Sequence, residues 1–142
     1  KKITIRSPKA SRPWQHVIEP IFGYLKLAKK LFLNKGFEGA WNFGPNNQNN
    51  MKVIEVVKFG KKFLKSKSKI NFTKKKYYES EHLSLDSSKA KKKLQWKTNL
   101  KSHEALKLSF IWYQFYYKNK NKKKLIELTF KQINDYKKKN KI

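Results

Sequence analysis

The chain has 142 residues and a formal net charge of +27, because 36 lysines and arginines face only 9 aspartates and glutamates. Its 38% of apolar and 15% of aromatic residues suffice for the core of one folded domain, so the composition is not that of a disordered chain. It contains no cysteine, which excludes a disulfide framework, a thiol nucleophile and a cysteine-ligated metal site.

The excess of positive charge makes nucleic acid and anionic membrane surfaces candidate partners. The lysines extend from Lys1 to Lys141, however, and this distribution indicates a compositional bias of the whole chain more than a local binding stripe. The sequence has no signal-like apolar region and no apolar run approaching the roughly 20 residues of a membrane-spanning helix. We therefore expect a cytoplasmic chain without a membrane partner, and its start inside a strand-like pattern indicates a piece of a longer protein.

The first third of the chain predicts a strand, a helix and a second strand. Residues 2–6 alternate as a strand does, and two prolines keep the following loop extended. Apolar residues at helical spacing predict an amphipathic helix from Ile18 to near Asn34, with Pro20 tolerated in its first turn. Residues 39–45 form a short apolar run closed by Gly-Pro, which predicts a buried strand.

The middle of the chain continues the alternation of helix and strand. Apolar residues over 53–64 predict a second helix, and a β-like stretch follows around residues 70–72. Residues 82–85 are a further candidate strand. Helix and strand thus alternate through this part of the chain.

The C-terminal part predicts three more helices. Asp86 or Ser87 can cap a short helix that runs to Leu94. A longer helix is expected over residues 102–117, with Ser102 as its cap, and a final helix over residues 124–137.

Arginine occurs at two positions, Arg6 and Arg12, while every other basic residue among the 36 is a lysine. A guanidinium presents a planar fork of donors that binds phosphate bidentately, whereas an ammonium group is a hydrated point charge. Two arginines so close in the sequence suggest a phosphate site. The alternative is a chance pair.

Three motifs carry a resemblance to known enzymes. They are IRSPKASRPWQHVIEP at 5–20, GAWNFGP at 39–45, and LDSSKA at 85–90 followed by Leu94 and Trp96. In this order they resemble the C-terminal portion of the CDP-glucose 4,6-dehydratases, members of the extended short-chain dehydrogenase/reductase superfamily. Related epimerases and dehydratases usually show an acidic residue and an aromatic residue after the arginine, so Pro13-Trp14-Gln15 points to the CDP-glucose branch.

The resemblance implies an α/β substrate-binding lobe over residues 1–142, with short strands and about five helices, from which the NAD-binding Rossmann half is absent. In such enzymes NAD takes hydride from C4 of CDP-glucose, water leaves across C5 and C6, and the hydride returns to C6. The product, CDP-4-keto-6-deoxyglucose, serves the biosynthesis of dideoxyhexoses of the lipopolysaccharide O-antigen. The implied partners are CDP-glucose and the NAD-binding half, in the same or a separate chain, and the full-length enzyme is expected to be a homo-oligomer.

The resemblance also implies site residues. Arg12 corresponds to an arginine that contacts the substrate diphosphate; the alternative is a surface salt bridge. Arg6 serves either the same phosphates or the cytidine end, or it is a solvated strand residue. Glu79 occupies the position of a family glutamate that a histidine usually precedes; here Tyr78 precedes it, which puts a substrate role for Tyr78 in doubt.

Three further candidates follow the motifs into the expected cleft. We interpret Trp14 as mainly structural. His16 either donates a hydrogen bond to cofactor or substrate or acts as a structural bridge. Asn42 either hydrogen-bonds near the cleft or caps a strand end.

Two departures and two absences complete the expectations. The family commonly has glycine where this chain has Gln95, and a left-handed glutamine there costs about 1 kcal/mol if the backbone is unchanged. No glycine-rich phosphate loop occurs, so NAD is expected to be bound mainly by the missing half and no catalytic residue is assigned. His16, His82 and His103 lack companion ligands at metal spacing, which predicts no metal site.

Two rival functions remain open at this point. The charge and the aromatic residues also fit a basic nucleic-acid-binding module, which predicts affinity that falls steeply with salt. The chain could also be a non-catalytic remnant that acts as the partner of another subunit. In each case we expect the isolated chain to be catalytically incompetent.

Overall fold

The computed structural model describes residues 1–33, 35–45, 50–73, 78–119 and 121–140. In chain order its elements are β1 (Lys2–Ile5), β2 (Ser11–Arg12), α1 (Ile18–Leu33), β3 (Met51–Lys52), α2 (Val53–Phe63), β4 (Lys69–Phe72), α3 (Ser88–Leu94), α4 (Ser102–Lys118) and α5 (Lys122–Asn140). Five helices with short strands confirm the expected α/β class. Asn34, near which the first helix was expected to end, lies outside the described residues. None of the described helices has the length and hydropathy of a membrane-spanning segment.

Two small sheets bring distant parts of the chain together. Strand β1 pairs in parallel with β4, so that Ile3 lies opposite Ile70. Strand β2 pairs antiparallel with β3, and an isolated bridge joins Ser11 to His82. The short strand β2 therefore lies between β3 and the segment that precedes α3.

Helix α1 lies between two hydrophobic clusters. Ile18 packs with Leu100, Ala105 and Tyr136, which joins α1 to α4 and α5. A second cluster consists of Phe43, Ala90, Leu94 and Trp96, with Leu27 of α1 packed against it. Gly23 allows this second contact, because a Cβ atom at this position would overlap the ring of Phe43. The helix is thereby fixed on two sides, which fixes the residues just before it.

The predicted strand over residues 39–45 is absent. The carbonyl oxygen of Phe43 accepts a hydrogen bond from Gln15 Nε2 at 2.7 Å, and the Gly44 N–H donates to Ser87 Oγ at 2.7 Å. Phe43, Gly44 and Pro45 at the end of the run are buried, but its backbone bonds to side chains instead of a neighbouring strand. Periodicity alone does not separate these two outcomes.

Helix α4 begins one residue earlier than expected. Ser102 is the first residue of α4 and not its cap, which is Lys101. The Lys101 N–H donates to the Glu104 carboxylate at 3.0 Å, so an acidic residue inside the helix satisfies it. For α3, Asp86 acts as expected, because its Oδ1 accepts from the Ser88 N–H at 2.9 Å. Residues 82–85 contribute the single bridge at His82 instead of a strand.

The left-handed end of α3 is retained without glycine. Gln95 has φ 50° and ψ 34°, and the Trp96 N–H bonds back to the Ala90 carbonyl at 3.2 Å. The chain thus keeps the helix stop and accepts the steric cost of a side chain in this conformation.

Candidate functional site

Arg12 is anchored at the end of β2 by three acceptors. Its Nη1 donates to the carbonyl oxygens of Ser11 at 2.8 Å and Ser80 at 3.1 Å. Its Nη2 donates to Glu79 Oε1 at 2.8 Å, in an ion pair in which the Arg12 side chain is 21% exposed. The guanidinium is therefore held in one orientation with one edge engaged by protein oxygens.

Glu79 is the point at which both arginines meet. Its Oε2 accepts a hydrogen bond from Ser7 Oγ at 2.5 Å and lies 3.5 Å from Arg6 Nε. These partners hold the pKa of Glu79 below its ordinary value, mainly through the hydrogen bonds from Ser7 and Arg12 and less through the charge of Arg6. Sequence reasoning missed Ser7, which lies in the first motif but has no chemistry that a pattern reveals.

We call the set Arg6, Ser7, Arg12 and Glu79 the arginine cluster. Its two guanidinium groups exceed its one carboxylate by a unit of positive charge, since Glu79 is held ionised. The Arg6 side chain is 68% exposed and can reorient, whereas Arg12 is fixed from several sides. One rigid and one movable guanidinium next to solvent form an arrangement that can bind a phosphate or diphosphate.

Trp14 and Gln15 connect the arginine cluster to the core. Trp14 Nε1 donates to the Met51 carbonyl oxygen at 2.9 Å, which ties the motif to β3. Gln15 Nε2 binds the Phe43 carbonyl oxygen, as described above. Its Oε1 is buried and has no partner among the described residues. The indole of Trp14 is thus engaged as a structural donor.

His16 is buried immediately before α1. Its Nδ1 accepts a hydrogen bond from the Ile18 N–H at 3.3 Å, so in the neutral ring the proton is on Nε2. Burial lowers the pKa of His16, which favours this neutral form. The ring satisfies a free amide at the start of the helix and lies in the wall of an adjacent cavity.

That cavity has a volume of about 520 Å³ and lies between α1, α4 and α5. Its wall is mostly apolar and includes Ile21, Trp112 and Ile133. Thr129, another wall residue, has its hydroxyl engaged by Trp112 Nε1 and by the Leu125 carbonyl oxygen. Three different helices contribute to the cavity, so helical periodicity read one helix at a time does not reveal it.

Asn42 lies in a different part of the structure. Its Nδ2 donates to the Asp86 carbonyl oxygen at 3.3 Å, which links the 39–45 segment to the start of α3. In the described structure it has no hydrogen bond to the arginine cluster. Of the six candidate residues, the structure thus brings Arg6, Arg12 and Glu79 into direct contact and places Trp14 and His16 on the adjoining segment.

Glu19 is a further residue that the sequence did not single out. It is 1% exposed, and its Oε1 accepts from the backbone N–H groups of Asn99 at 2.5 Å and Leu100 at 2.9 Å. Burial raises the pKa of this carboxyl group above its ordinary value, although the two backbone hydrogen bonds act in the opposite direction. Glu19 therefore joins the first turn of α1 to the segment before α4.

Three of the described glycines take no part in a phosphate-binding loop. Gly23 and Gly60 lie inside helices, where they accommodate the rings of Phe43 and Phe110. Gly44 packs against Leu85 in the same way. None of these three forms the loop at a helix N-terminus that admits a pyrophosphate. The described part of the chain also holds no group of three side chains that could bind a metal ion.

Comparison with curated proteins gives one clear relative, whereas no family model matches the chain. CDP-glucose 4,6-dehydratase of Salmonella typhimurium is 29% identical over 139 residues. The match covers 96% of this chain but 38% of that protein. The chain therefore spans well under half the length of the relative that it matches.

Solved structures give the same fold. The structure of dTDP-glucose 4,6-dehydratase of Bacillus anthracis in complex with NAD has a TM-score of 0.64 and 21% identity to this chain. The match covers 90% of this chain and 37% of the dehydratase chain. The structure of UDP-glucose 4-epimerase of Bifidobacterium longum in complex with NAD+ and UDP has a TM-score of 0.66 and 20% identity. This match covers 80% of this chain and 35% of the epimerase chain. The chain is therefore a distant homologue of CDP-glucose 4,6-dehydratase, with the fold of about a third of an extended short-chain dehydrogenase/reductase of the nucleotide-sugar type.

Proposed function

We propose that residues 1–142 are the substrate-binding lobe of a CDP-glucose 4,6-dehydratase, which becomes active together with an NAD-binding half in the same or a separate chain. The observation that carries this proposal is the convergence of both arginines on Glu79, 67 residues away from Arg12 in the sequence. The distant homology supports the substrate class, and the coverage of 38% of the relative is the reason for a second half.

In the proposed complex Arg12 binds the diphosphate of CDP-glucose through its free edge. Glu79 and the two carbonyl oxygens hold the guanidinium in place, so that little conformational entropy is lost when the ligand arrives. Arg6 moves from Glu79 to the second phosphate. Each charge-assisted hydrogen bond of this type contributes about 1.5–3 kcal/mol.

NAD is the hydride carrier in enzymes of this type. Here it would be held by the other half, because Gly23, Gly44 and Gly60 pack against side chains and the sequence has no glycine-rich phosphate loop. We therefore assign no catalytic step to this chain. Its tasks are to bind the nucleotide, to orient the sugar toward the second half and to exclude water from the joint site.

We assign the docking of the second half to the exposed apolar face around the cavity. Val17 lies just before α1, and Ile21 and Leu25 follow it at helical spacing on α1; the three are 62%, 44% and 59% exposed. Tyr113 of α4, which also lines the cavity, is 54% exposed. An apolar face of this extent favours association, so the isolated chain is expected to aggregate despite its charge. The complete enzyme is proposed to be a cytoplasmic homo-oligomer.

The experiment is calorimetric titration of the chain with CDP-glucose, UDP-glucose and a short single-stranded DNA at low and high salt. Arg12→Ala should weaken CDP-glucose binding by about tenfold or more, because at least one charge-assisted hydrogen bond is lost. The control Lys107→Ala removes an exposed positive charge from α4 and should leave the affinity unchanged.

Preference for CDP-glucose over UDP-glucose would support the assigned base. Absence of sugar binding, together with DNA binding that falls steeply with salt, would favour the nucleic-acid-binding alternative. The gene sequence upstream provides a second test, because a glycine-rich loop and an active-site tyrosine encoded there would supply the proposed half.

A further inference from the structure

A groove of about 640 Å³ lies between α1, α5 and the end of α3, away from the arginine cluster. Its floor is apolar and its rim is basic: the lining residues are Phe22, Leu25, Leu33 and Leu94, with Lys26, Lys29, Lys30 and Lys137. No aspartate or glutamate is among these described lining residues. The groove thus combines an apolar floor with a rim whose described charged residues are all positive.

The four ammonium groups differ in how they are held. Lys26 Nζ donates to the Gln95 carbonyl oxygen at 3.2 Å, and Lys30 Nζ lies 5.7 Å from the centre of the Phe37 ring. Lys29 and Lys137 have no hydrogen-bond or ion-pair partner in the part of the chain that the structure describes. These two groups are therefore available to a ligand without the loss of an existing contact.

We propose that this groove binds a small organic anion with an apolar body, a medium-chain carboxylate or alkyl phosphate, whose head group meets Lys29 and Lys137. The volume is that of sites for small organic ligands. An inorganic phosphate would leave the floor of Phe22, Leu33 and Leu94 in water, and an uncharged hydrocarbon would leave the rim without a counter-charge. A second copy of this chain is disfavoured as the occupant of this groove, because it would bring a net charge of +27 to a rim of four lysines, whereas none of the described lysines lines the apolar cavity.

The groove is independent of the proposed nucleotide-sugar site. No member of the arginine cluster lines it, although Phe22 and Leu25 are shared with the apolar cavity on the other side of α1. Leu25 also belongs to the proposed docking face of the NAD-binding half, so the two proposals are separated by their ligands: failure of CDP-glucose binding at the arginine cluster leaves octanoate binding in the groove unaffected, and the reverse.

The test is calorimetric titration of the 142-residue chain with octanoate, and with 1-octanol as the uncharged probe of equal chain length. The double variant Lys29→Glu/Lys137→Glu should weaken octanoate binding by about tenfold, because two attractive charges become repulsive. The matched control is Lys107→Glu/Lys118→Glu, which has the same net charge as the first double variant but carries its substitutions on α4, outside the groove. Its affinity for octanoate should stay within about twofold of the parent. Octanol should bind more weakly than octanoate.

A second pair of variants tests the floor without changing the charge. Leu33→Ser removes an apolar lining residue, whereas Leu31→Ser changes a neighbouring exposed leucine that does not line the groove. The affinity for octanoate should fall in Leu33→Ser and stay unchanged in Leu31→Ser. In the parent chain, the methyl NMR signals of Leu33 and Leu94 should shift when octanoate binds. This pair remains informative if the charge-reversed chain fails to fold.

Three results of the octanoate experiments would overturn the proposal. They are equal weakening in both charge-reversed variants, octanol binding as tightly as octanoate, and octanoate binding that shifts neither leucine. Sedimentation with phosphatidylglycerol vesicles that requires Lys29 and Lys137, without octanoate binding, would assign the groove to a membrane surface and likewise overturn the small-molecule proposal.

Discussion

The Glu19 carboxylate accepts the backbone N–H of Leu100 at 2.9 Å, across 81 residues of sequence. It also accepts the N–H of Asn99, while the Glu19 carbonyl oxygen receives the indole N–H of Trp96 at 3.1 Å. One residue in the first turn of α1 thus organises the whole connection between α3 and α4. Because α1 directly follows Arg12 to His16, this contact also fixes the base of the candidate site.

Replacing Glu19 with alanine should destabilise the fold by about 2–4 kcal/mol, because two amides would lose their acceptor in a buried position. Glu19→Gln keeps one carbonyl oxygen as an acceptor and should cost less. Urea denaturation of the three proteins measures both differences. Equal stability of the alanine variant and the parent would show that the amides find another acceptor.

The same carboxyl group should make stability fall as the pH rises. Burial raises the pKa of Glu19 in the folded state, so the folded chain binds more protons than the unfolded chain between the two pKa values. Its contribution is fully present below the ordinary glutamate value of 4.5 and is lost as the pH rises through the higher folded value. The difference in unfolding free energy between parent and Glu19→Gln, followed against pH, isolates this contribution; a difference that grows with pH in favour of the parent would contradict it.

Gln95→Gly should stabilise the chain by about 0.5–1 kcal/mol. Gln95 has φ 50°, a conformation that glycine adopts without the steric cost of a Cβ atom. Its side chain is exposed, so little packing is lost. Gln95→Ala keeps the Cβ atom and should bring no gain. The thermal unfolding midpoints of the two variants separate these cases.

Gly23→Ala should destabilise the chain by about 2 kcal/mol, although alanine favours helix formation. The added methyl group would overlap the buried ring of Phe43, which is held by edge-on contact with Trp96. Gly60→Ala is the matched control, because its Cβ atom would lie 2.9 Å from the far end of the less buried Phe110 ring. A loss at Gly23 no larger than that at Gly60 would mean that Phe43 can move aside.

The helices were predictable from the sequence because each carries its own apolar pattern. Helix α1 begins at Ile18 as expected. The sequence left open whether the left-handed helix stop is kept at Gln95, and the structure keeps it. The 39–45 segment was misread because burial and strand formation produce the same short apolar run. Its backbone partners, Gln15 and Ser87, are polar residues at distant positions that no local pattern connects with it.

For the candidate site, the sequence supplied the residues through resemblance but not their arrangement. Arg12 and Glu79 were both named, yet their ion pair depends on how β2 lies beside the segment before α3. The apolar cavity could not be foreseen because α1, α4 and α5 each contribute to its wall. Contacts of this kind arise from the packing of elements and not from the period of any one of them.

The parallel pairing of β1 with β4 has a consequence for how the chain reaches its native state. Lys2 pairs with Lys69, and the arginine cluster closes over a similar separation of 67 residues. Closing such long loops is entropically costly before any contact repays it, so contacts of this range slow folding. During synthesis both arginines emerge well before their common acceptor, Glu79. The arginine cluster is consequently completed only after Glu79 has been synthesised. Until then its two guanidinium groups remain exposed to other anions in the cell.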